Sequence, residues 1–599
     1  MDAGTAQASE GTMIDQVRGE PINETRSGGG GCHLTSVTVL LAVILFLSRG
    51  FLHILVVPMW EGFDEPFHYA YVQHIAEHGW LPPLSAPSVS QEILESLQLF
   101  PTTYHLSHLT PMRFKNFWEL SPVDRLRSRR SLDSIEPASR SQLTHLVNYQ
   151  TQHPPLYYLL CAPVYLISRH LSLVDRVFIL RSLSLLLAAI SLPLGYLVAR
   201  RIFNSEWALL IPALMAVFPN YYVFIGRVTN DALAVVLFPA LLLASGRLHE
   251  KPGNPGRLLI IGLLLALGLL TKFYFVTAVP VLLIALLLQR FQEEISTKAC
   301  ALALLLVLAP TALVAGWWYM RNYVEVGAIS GLTQFKMISS LPATAWIEGL
   351  PHFRPGEFGR LLFRLHVWAG NWSFLTLSKT YYQLFEIVYA LCGIGVIRLL
   401  MKHHPIPQIT SDQERESRYY LMLLSGFLLS FMASMVFNRL SYTVAGIFID
   451  PQMLGGPGSE GWYLHVLLSV EAILLFLGIH GLVRMRAGRI GPIMLLGLFF
   501  ILDQAALWGR EIPYYAGLSI RVAHPFANLA GAVHQVVAGL TLALHRVAFL
   551  GPHWSSKPLL LTMIVLTVTT TATSFVLVYH CLSRPFGSEI SSRFNPVGR

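Results

Sequence analysis

Asp64 and Glu65 stand just beyond the first long apolar run of this 599-residue sequence, in Trp60-Glu61-Gly62-Phe63-Asp64-Glu65-Pro66-Phe67-His68-Tyr69-Ala70. Asp64 suits a helix N-cap, Pro66 a first turn, and Gly79 after His78 a helix end. Residues three and four apart are neighbours on a helix, so Asp64, Glu65 and His68 are expected to share one face. Two carboxylates and an imidazole at one spot can take a proton from an attacking hydroxyl, which is general-base chemistry. The commoner role of such residues is to cap a helix and complement its dipole, so other features have to decide.

The cations come from further along the chain. Arg227 precedes Asn230-Asp231, Lys272 closes Leu269-Leu270-Thr271-Lys272, and Arg321 lies in Trp317-Trp318-Tyr319-Met320-Arg321-Asn322, each near the end of an apolar run. Charges within or bordering membrane spans are costly and by default face a cavity or a partner. Fixed cations at that depth suit a phosphate, which makes Lys272, Arg321 and Arg227 candidate phosphate-binding residues. Snorkelling toward the headgroups is the competing account of Lys272 and Arg321, and interface anchoring is the preferred one for Trp317 and Trp318. His153, Tyr157, Asn230 and Asp231 are the candidate substrate-binding residues. No resident cofactor is required, although Asp64, Glu65 and Asp231 would make an oxygen-rich site for a divalent metal if they converged. His74 and His78 have zinc-ligand spacing on one helical face; a polar helix surface is the expected account of them. The five cysteines lie far apart without metal-ligand spacing and read as packing residues.

These residues have to be positioned by a helical bundle in lipid. The chain is 53% hydrophobic and 13% charged, and its repeated apolar runs of about twenty residues have the length of membrane spans. The expected fold is an all-α polytopic membrane protein with about twelve transmembrane helices, thirteen in the alternative, and a large first extracytoplasmic loop containing surface-lying helices. The net charge of +9 sits in short basic clusters at the ends of these runs, where topology signals belong. Nucleic acid is therefore not an expected partner, whereas membrane lipids are. The basic clusters place the N-terminus in the cytoplasm and the long loop outside. A cytoplasmic tail over 1–34 leads to a core over 35–330, which includes the outer loop 60–176. A second transmembrane region covers 331–581, before a cytoplasmic tail over 582–599. The first span is read as His33 to Trp60 and the second as Val177 to Val198. The aromatic segment from His153 to about His170 is too short to span comfortably and is expected along the surface. Phe526 to Leu550 carries a polar stripe and is expected to lie in the interface rather than cross it. Asn371-Trp372-Ser373 is an N-glycosylation sequon on the outer side, and Asn23-Glu24-Thr25 another on the cytoplasmic tail.

At these residues the sequence resembles the GT-C superfamily of membrane glycosyltransferases, in the branch of protein O-mannosyltransferases and aminoarabinose transferases. The resemblance rests on Phe63 to His68 after the first span and on His153-Pro154-Pro155-Leu156-Tyr157-Tyr158 before the second. It continues through Arg181, Asn230-Asp231, Leu269 to Lys272 and Trp317 to Asn322, in order over about the first 330 residues. It implies an active site opening at the outer membrane face and a polyprenyl- or dolichyl-phosphate sugar donor. It also implies that Asp64 acts at the acceptor, with Glu65 beside it; His153 stands where the aminoarabinose transferases have lysine. The expected activity is sugar transfer from a lipid-linked donor to an acceptor hydroxyl, of protein, lipid or glycan, by inverting general-base catalysis. A transporter or lipid flippase would also hold charges in its spans, but near the midplane and with repeated halves. A non-catalytic scaffold of the same fold is the third reading.

Overall fold

Leu34–Val56, the first apolar run, is a helix of 23 residues whose length and composition suit a membrane crossing. In the computed structural model, residues 29–103, 112–248, 250, 253–402, 411–455, 460–482, 490–518 and 539–583 are described. Among them nine helices are long and apolar enough to span, or ten if one bent pair counts as a single span. The expected twelve or thirteen are not reached on this basis, because Asp231–Gly246 and Pro255–Leu269 have only 16 and 15 residues. The bent pair, Ser205–Val217 with Pro219–Ile225, turns through 65°. Phe218, forced out of helical geometry by the proline that follows it, makes the turn. The second span covers Leu173–Ala199 and is interrupted near Ile190, three residues before Pro193, which removes a helical donor.

The long loop after the first span is not wholly helical. Ser88–Ser90 pairs antiparallel with Leu143–Val147, Ser88 opposite Val147 and Ser90 opposite Leu143. Glu65–His78 and Gln91–Leu99 pack on this ribbon, Pro122–Asp133 packs on Gln91–Leu99, and Phe114–Glu119 packs against Ile512–Tyr515. Leu156–Ser168 follows, a 13-residue apolar helix about 20 Å long and too short to cross alone. Of the segment expected in the interface, Phe526 to Leu550, residues up to 538 lie outside the described ones. The remainder forms Leu540–Leu550, and Arg546 of its polar stripe turns inward to donate to the Ala516 carbonyl at 2.7 Å. The Asn23 sequon likewise lies outside the described residues. Asn371 of the other sequon is only 1% exposed, and the Ser373 hydroxyl is bonded to buried Glu61.

Arg49, a costly charge inside the first span, meets Asp503 of the span Ile490–Tyr515. The guanidinium donates Nε at 2.9 and 3.1 Å and Nη2 at 2.8 Å, and both residues are buried. Breaking such a pair strands the other charge, whereas replacing both ions with apolar groups is often neutral. Arg49→Leu is therefore expected to destabilise the protein by about 3–5 kcal/mol, and Arg49→Leu/Asp503→Leu to recover most of the loss. Thermal unfolding in detergent compares the two.

Candidate functional site

The helix expected after the first span runs Glu65–His78. Gly79 stops it in the left-handed conformation (φ 80°) and donates to the Ile75 carbonyl at 2.9 Å. Asp64 holds the N-cap position, yet its side chain makes no capping bond. Its backbone carbonyl accepts from Phe67 and His68 instead, and its φ of 58° lies in the left-handed region. That conformation costs a residue with a β-carbon on the order of 1–3 kcal/mol and recurs at functional sites. The carboxylate is free of capping and half-buried. Tyr149 donates its hydroxyl to Oδ1 at 2.5 Å, and Oδ2 is open among the described residues. Burial raises the Asp64 pKa; the Tyr149 bond and the charges of Arg227 and Lys272 oppose the rise.

The shared face expected for Asp64, Glu65 and His68 is not realised in their contacts. Glu65 is fully buried and turns to Arg181, which donates Nε to Oε1 at 2.6 Å and Nη2 to Oε2 at 2.5 Å. The Trp60 and Val228 backbone N–H groups complete its shell, each at 3.1 Å. Glu65 thus clamps the exit of the first span, the second span and the turn leading to Asp231. His68 turns to the Tyr158 hydroxyl at 2.7 Å and stacks on His153 with ring centroids 5.8 Å apart. Burial lowers both imidazoles, His153 to about 3, so the two are neutral near pH 7.

Asp231 opens its helix at the centre of a buried cluster. Lys272 donates to Oδ1 at 2.6 Å and the Tyr274 hydroxyl at 3.2 Å, while Thr229 Oγ1 donates to Oδ2 at 3.0 Å and Arg227 at 3.4 Å. The turn is fixed from both sides. Tyr157 accepts the Thr229 N–H at 3.1 Å and bonds Ser184 at 2.6 Å, and Asn230 Nδ2 donates to the Thr271 carbonyl at 2.8 Å, tying it to the strand of chain that carries Lys272. With two cations already on Asp231, a divalent metal shared with Asp64 is a poor fit. Among the described residues no three His, Cys, Asp or Glu side chains converge to hold an ion.

Arg227 is only partly met by its bond to Asp231. Its side chain is buried, and Nε and Nη1 have no hydrogen-bond partner. It lies over the Phe63 ring at 5.4 Å, and a Cβ on Gly62 would come within 2.7 Å of the Arg227 Cβ. Gly62 therefore lets the Phe63-Asp64 loop pack directly on this arginine. Arg321 is elsewhere: it pairs with Glu325 at 2.7 Å, donates to the Pro82 carbonyl at 2.8 Å and covers Trp318.

Sequence reasoning missed several contributors. Tyr149 holds Asp64, the Lys272 ammonium lies over the Tyr274 and Tyr463 rings at 5.7 and 4.9 Å, and Glu61 accepts from Thr102 and Thr103. The Trp372 backbone N–H bonds the Glu61 carbonyl at 2.8 Å. Trp372 and Trp462 flank Phe63 at 5.5 and 4.4 Å. Only the Glu61-Gly62 adjacency to Asp64 carried any local signal.

Residues 152–317 match the family model described as dolichyl-phosphate-mannose-protein mannosyltransferase. No curated protein matches the sequence. Among solved structures, ArnT from Cupriavidus metallidurans bound to undecaprenyl phosphate aligns over 93% of this chain and 78% of its own, at 13% identity and a TM-score of 0.42. The Archaeoglobus fulgidus oligosaccharyltransferase in complex with zinc and sulfate aligns over 79% of this chain at 12% identity and a TM-score of 0.39. The chain spans about half of that protein, 52%.

Proposed function

We propose, from the match of residues 152–317 to the dolichyl-phosphate-mannose-protein mannosyltransferase family model, that this protein is a GT-C-type membrane glycosyltransferase that moves a sugar from a polyprenyl- or dolichyl-phosphate donor to an acceptor hydroxyl at the extracytoplasmic face. The observation that carries the reading is Arg227, a buried guanidinium whose Nε and Nη1 have no hydrogen-bond partner, beside the Lys272–Asp231 pair and Asp64. A guanidinium fork matches a phosphate, and an unmet buried donor calls for an acceptor.

In the reaction, the acceptor oxygen attacks the anomeric carbon while Asp64 Oδ2 takes its proton. The bond from that carbon to the phosphate oxygen breaks, and the polyprenyl phosphate leaves with the electron pair, its growing charge met by Arg227 and Lys272. A single displacement inverts the anomeric centre; a sugar ester trapped on Asp64 would overturn that. Asp231 holds Lys272 and Arg227 in place. Neutral His68 and His153 line the side next to Tyr158, where they can hydrogen-bond sugar or acceptor without competing for the phosphate's proton. Tyr157 and Asn230 are positioning residues for the 227–231 turn, and Arg321 serves the donor only if the lipid carrier reaches beyond this centre.

The test is purified protein in detergent with polyprenyl-phosphate sugars, following release of the polyprenyl phosphate. Arg227→Gln is expected to raise the donor KM by about 10- to 100-fold, the worth of one charged hydrogen bond, with the fold retained. An unchanged donor KM would remove Arg227 from phosphate binding. Absence of turnover by the wild type would return the chain to the transporter or scaffold reading.

A further inference from the structure

We propose that His74 and His78 form a binding site for a transition-metal dication of the zinc type, separate from the Asp64–Asp231 centre. The expectation of a polar helix surface fails at His74, which is 6% exposed. Neither of its ring nitrogens has a hydrogen-bond partner, and Nε2 of half-buried His78 has none either. A neutral imidazole carries one donor and one acceptor, and a buried polar atom normally finds a partner. Three unmet nitrogens within one helical turn are unusual for two histidines that merely pack.

The geometry suits one shared ion. The residues are four apart on Glu65–His78, so they project from the same face, and their ring centroids are 4.5 Å apart. Two imidazoles on a tetrahedral zinc, with Zn–N near 2.0–2.1 Å, place their centroids about 5 Å apart. Trp80 covers the pair, 6.4 Å from His74 and 5.4 Å from His78 between centroids. Trp80 is 62% exposed, so it closes the site as a lid at the surface rather than as part of the core. The helix supplies two ligands and water the remainder, which makes the site one of moderate affinity. Imidazole ligands favour zinc, copper or nickel over magnesium or calcium. An ion here would brace the C-terminal turn of the helix whose N-terminus carries Asp64.

The experiment is equilibrium dialysis of the full chain, purified in detergent through a tag without histidines, against zinc, with metal analysis of the retained protein. The wild type is expected to bind one more equivalent than His74→Gln/His78→Gln, and His78→Gln to bind that equivalent at least about tenfold more weakly. Cobalt in place of zinc should give the visible band of a nitrogen-ligated, low-symmetry ion in the wild type, absent from the double variant. Equal zinc stoichiometry and affinity in wild type and double variant, or no retained zinc in the wild type, overturns the proposal. Should the buried His74 change impair folding, half-buried His78→Gln alone decides by the same comparison.

Discussion

Asp64→Asn is expected to lower kcat for sugar transfer by about 10²- to 10⁴-fold, the usual contribution of a general base, while donor binding stays near the wild-type value. The substitution is unusually clean at this position. Asparagine tolerates the left-handed conformation that Asp64 adopts, and its carbonyl oxygen can still accept the Tyr149 hydroxyl bonded to Oδ1 at 2.5 Å. What goes is the basic lone pair. Turnover equal to wild type would remove Asp64 from the chemistry. The pH profile supplies an independent check: a base works only when deprotonated, so kcat should fall as the pH drops through the Asp64 pKa. Burial raises that pKa, so the acid limb should lie above the range of an exposed aspartate. The Tyr149 bond favours the charged form and pulls the pKa down. Tyr149→Phe should therefore move the acid limb to higher pH, and a limb that stays in place would assign it to another group.

The parts of this site legible in the sequence are those in which local rules and final contacts coincide. Asp64, Pro66 and Gly79 marked the bounds of the helix Glu65–His78 because start and stop signals are local. Its apolar character and length marked Leu156–Ser168 as too short to span. The contacts that decide roles are not local. Arg49 finds Asp503 454 positions away, and Glu65 finds Arg181 116 positions away; no period or spacing carries such pairs. Adjacency suggested that Glu65 works beside Asp64, but the left-handed turn at Asp64 aims the two carboxylates at different partners. Arg321 and Lys272 looked alike as cations at span ends, yet Lys272 follows a helix that stops at Leu269 against the Asn230 turn. Arg321 stays inside a continuous helix, Thr297–Val326, within reach of its own Glu325.

The role of Glu65 is separable from that of Asp64 by stability. Arg181 is buried and, besides Glu65, donates to the Val57 carbonyl at 2.6 Å and the Pro58 carbonyl at 2.8 Å. Arg181→Met leaves Glu65 as a buried charge with only the Trp60 and Val228 N–H groups, and is expected to cost about 3–5 kcal/mol. Activity should fall with stability, because Asp64 adjoins one end of the clamp and Arg227 the other, through Val228. Adding Glu65→Gln removes the stranded charge, so the double variant should regain part of the thermal stability by a favourable coupling between the two changes. If Glu65 only positions, kcat recovers along with the melting temperature. If Glu65 touches the reacting atoms, stability returns and kcat does not. Measuring melting temperature and kcat on the same four proteins, wild type, both single variants and the double, therefore decides between a clamp and a second catalytic carboxylate.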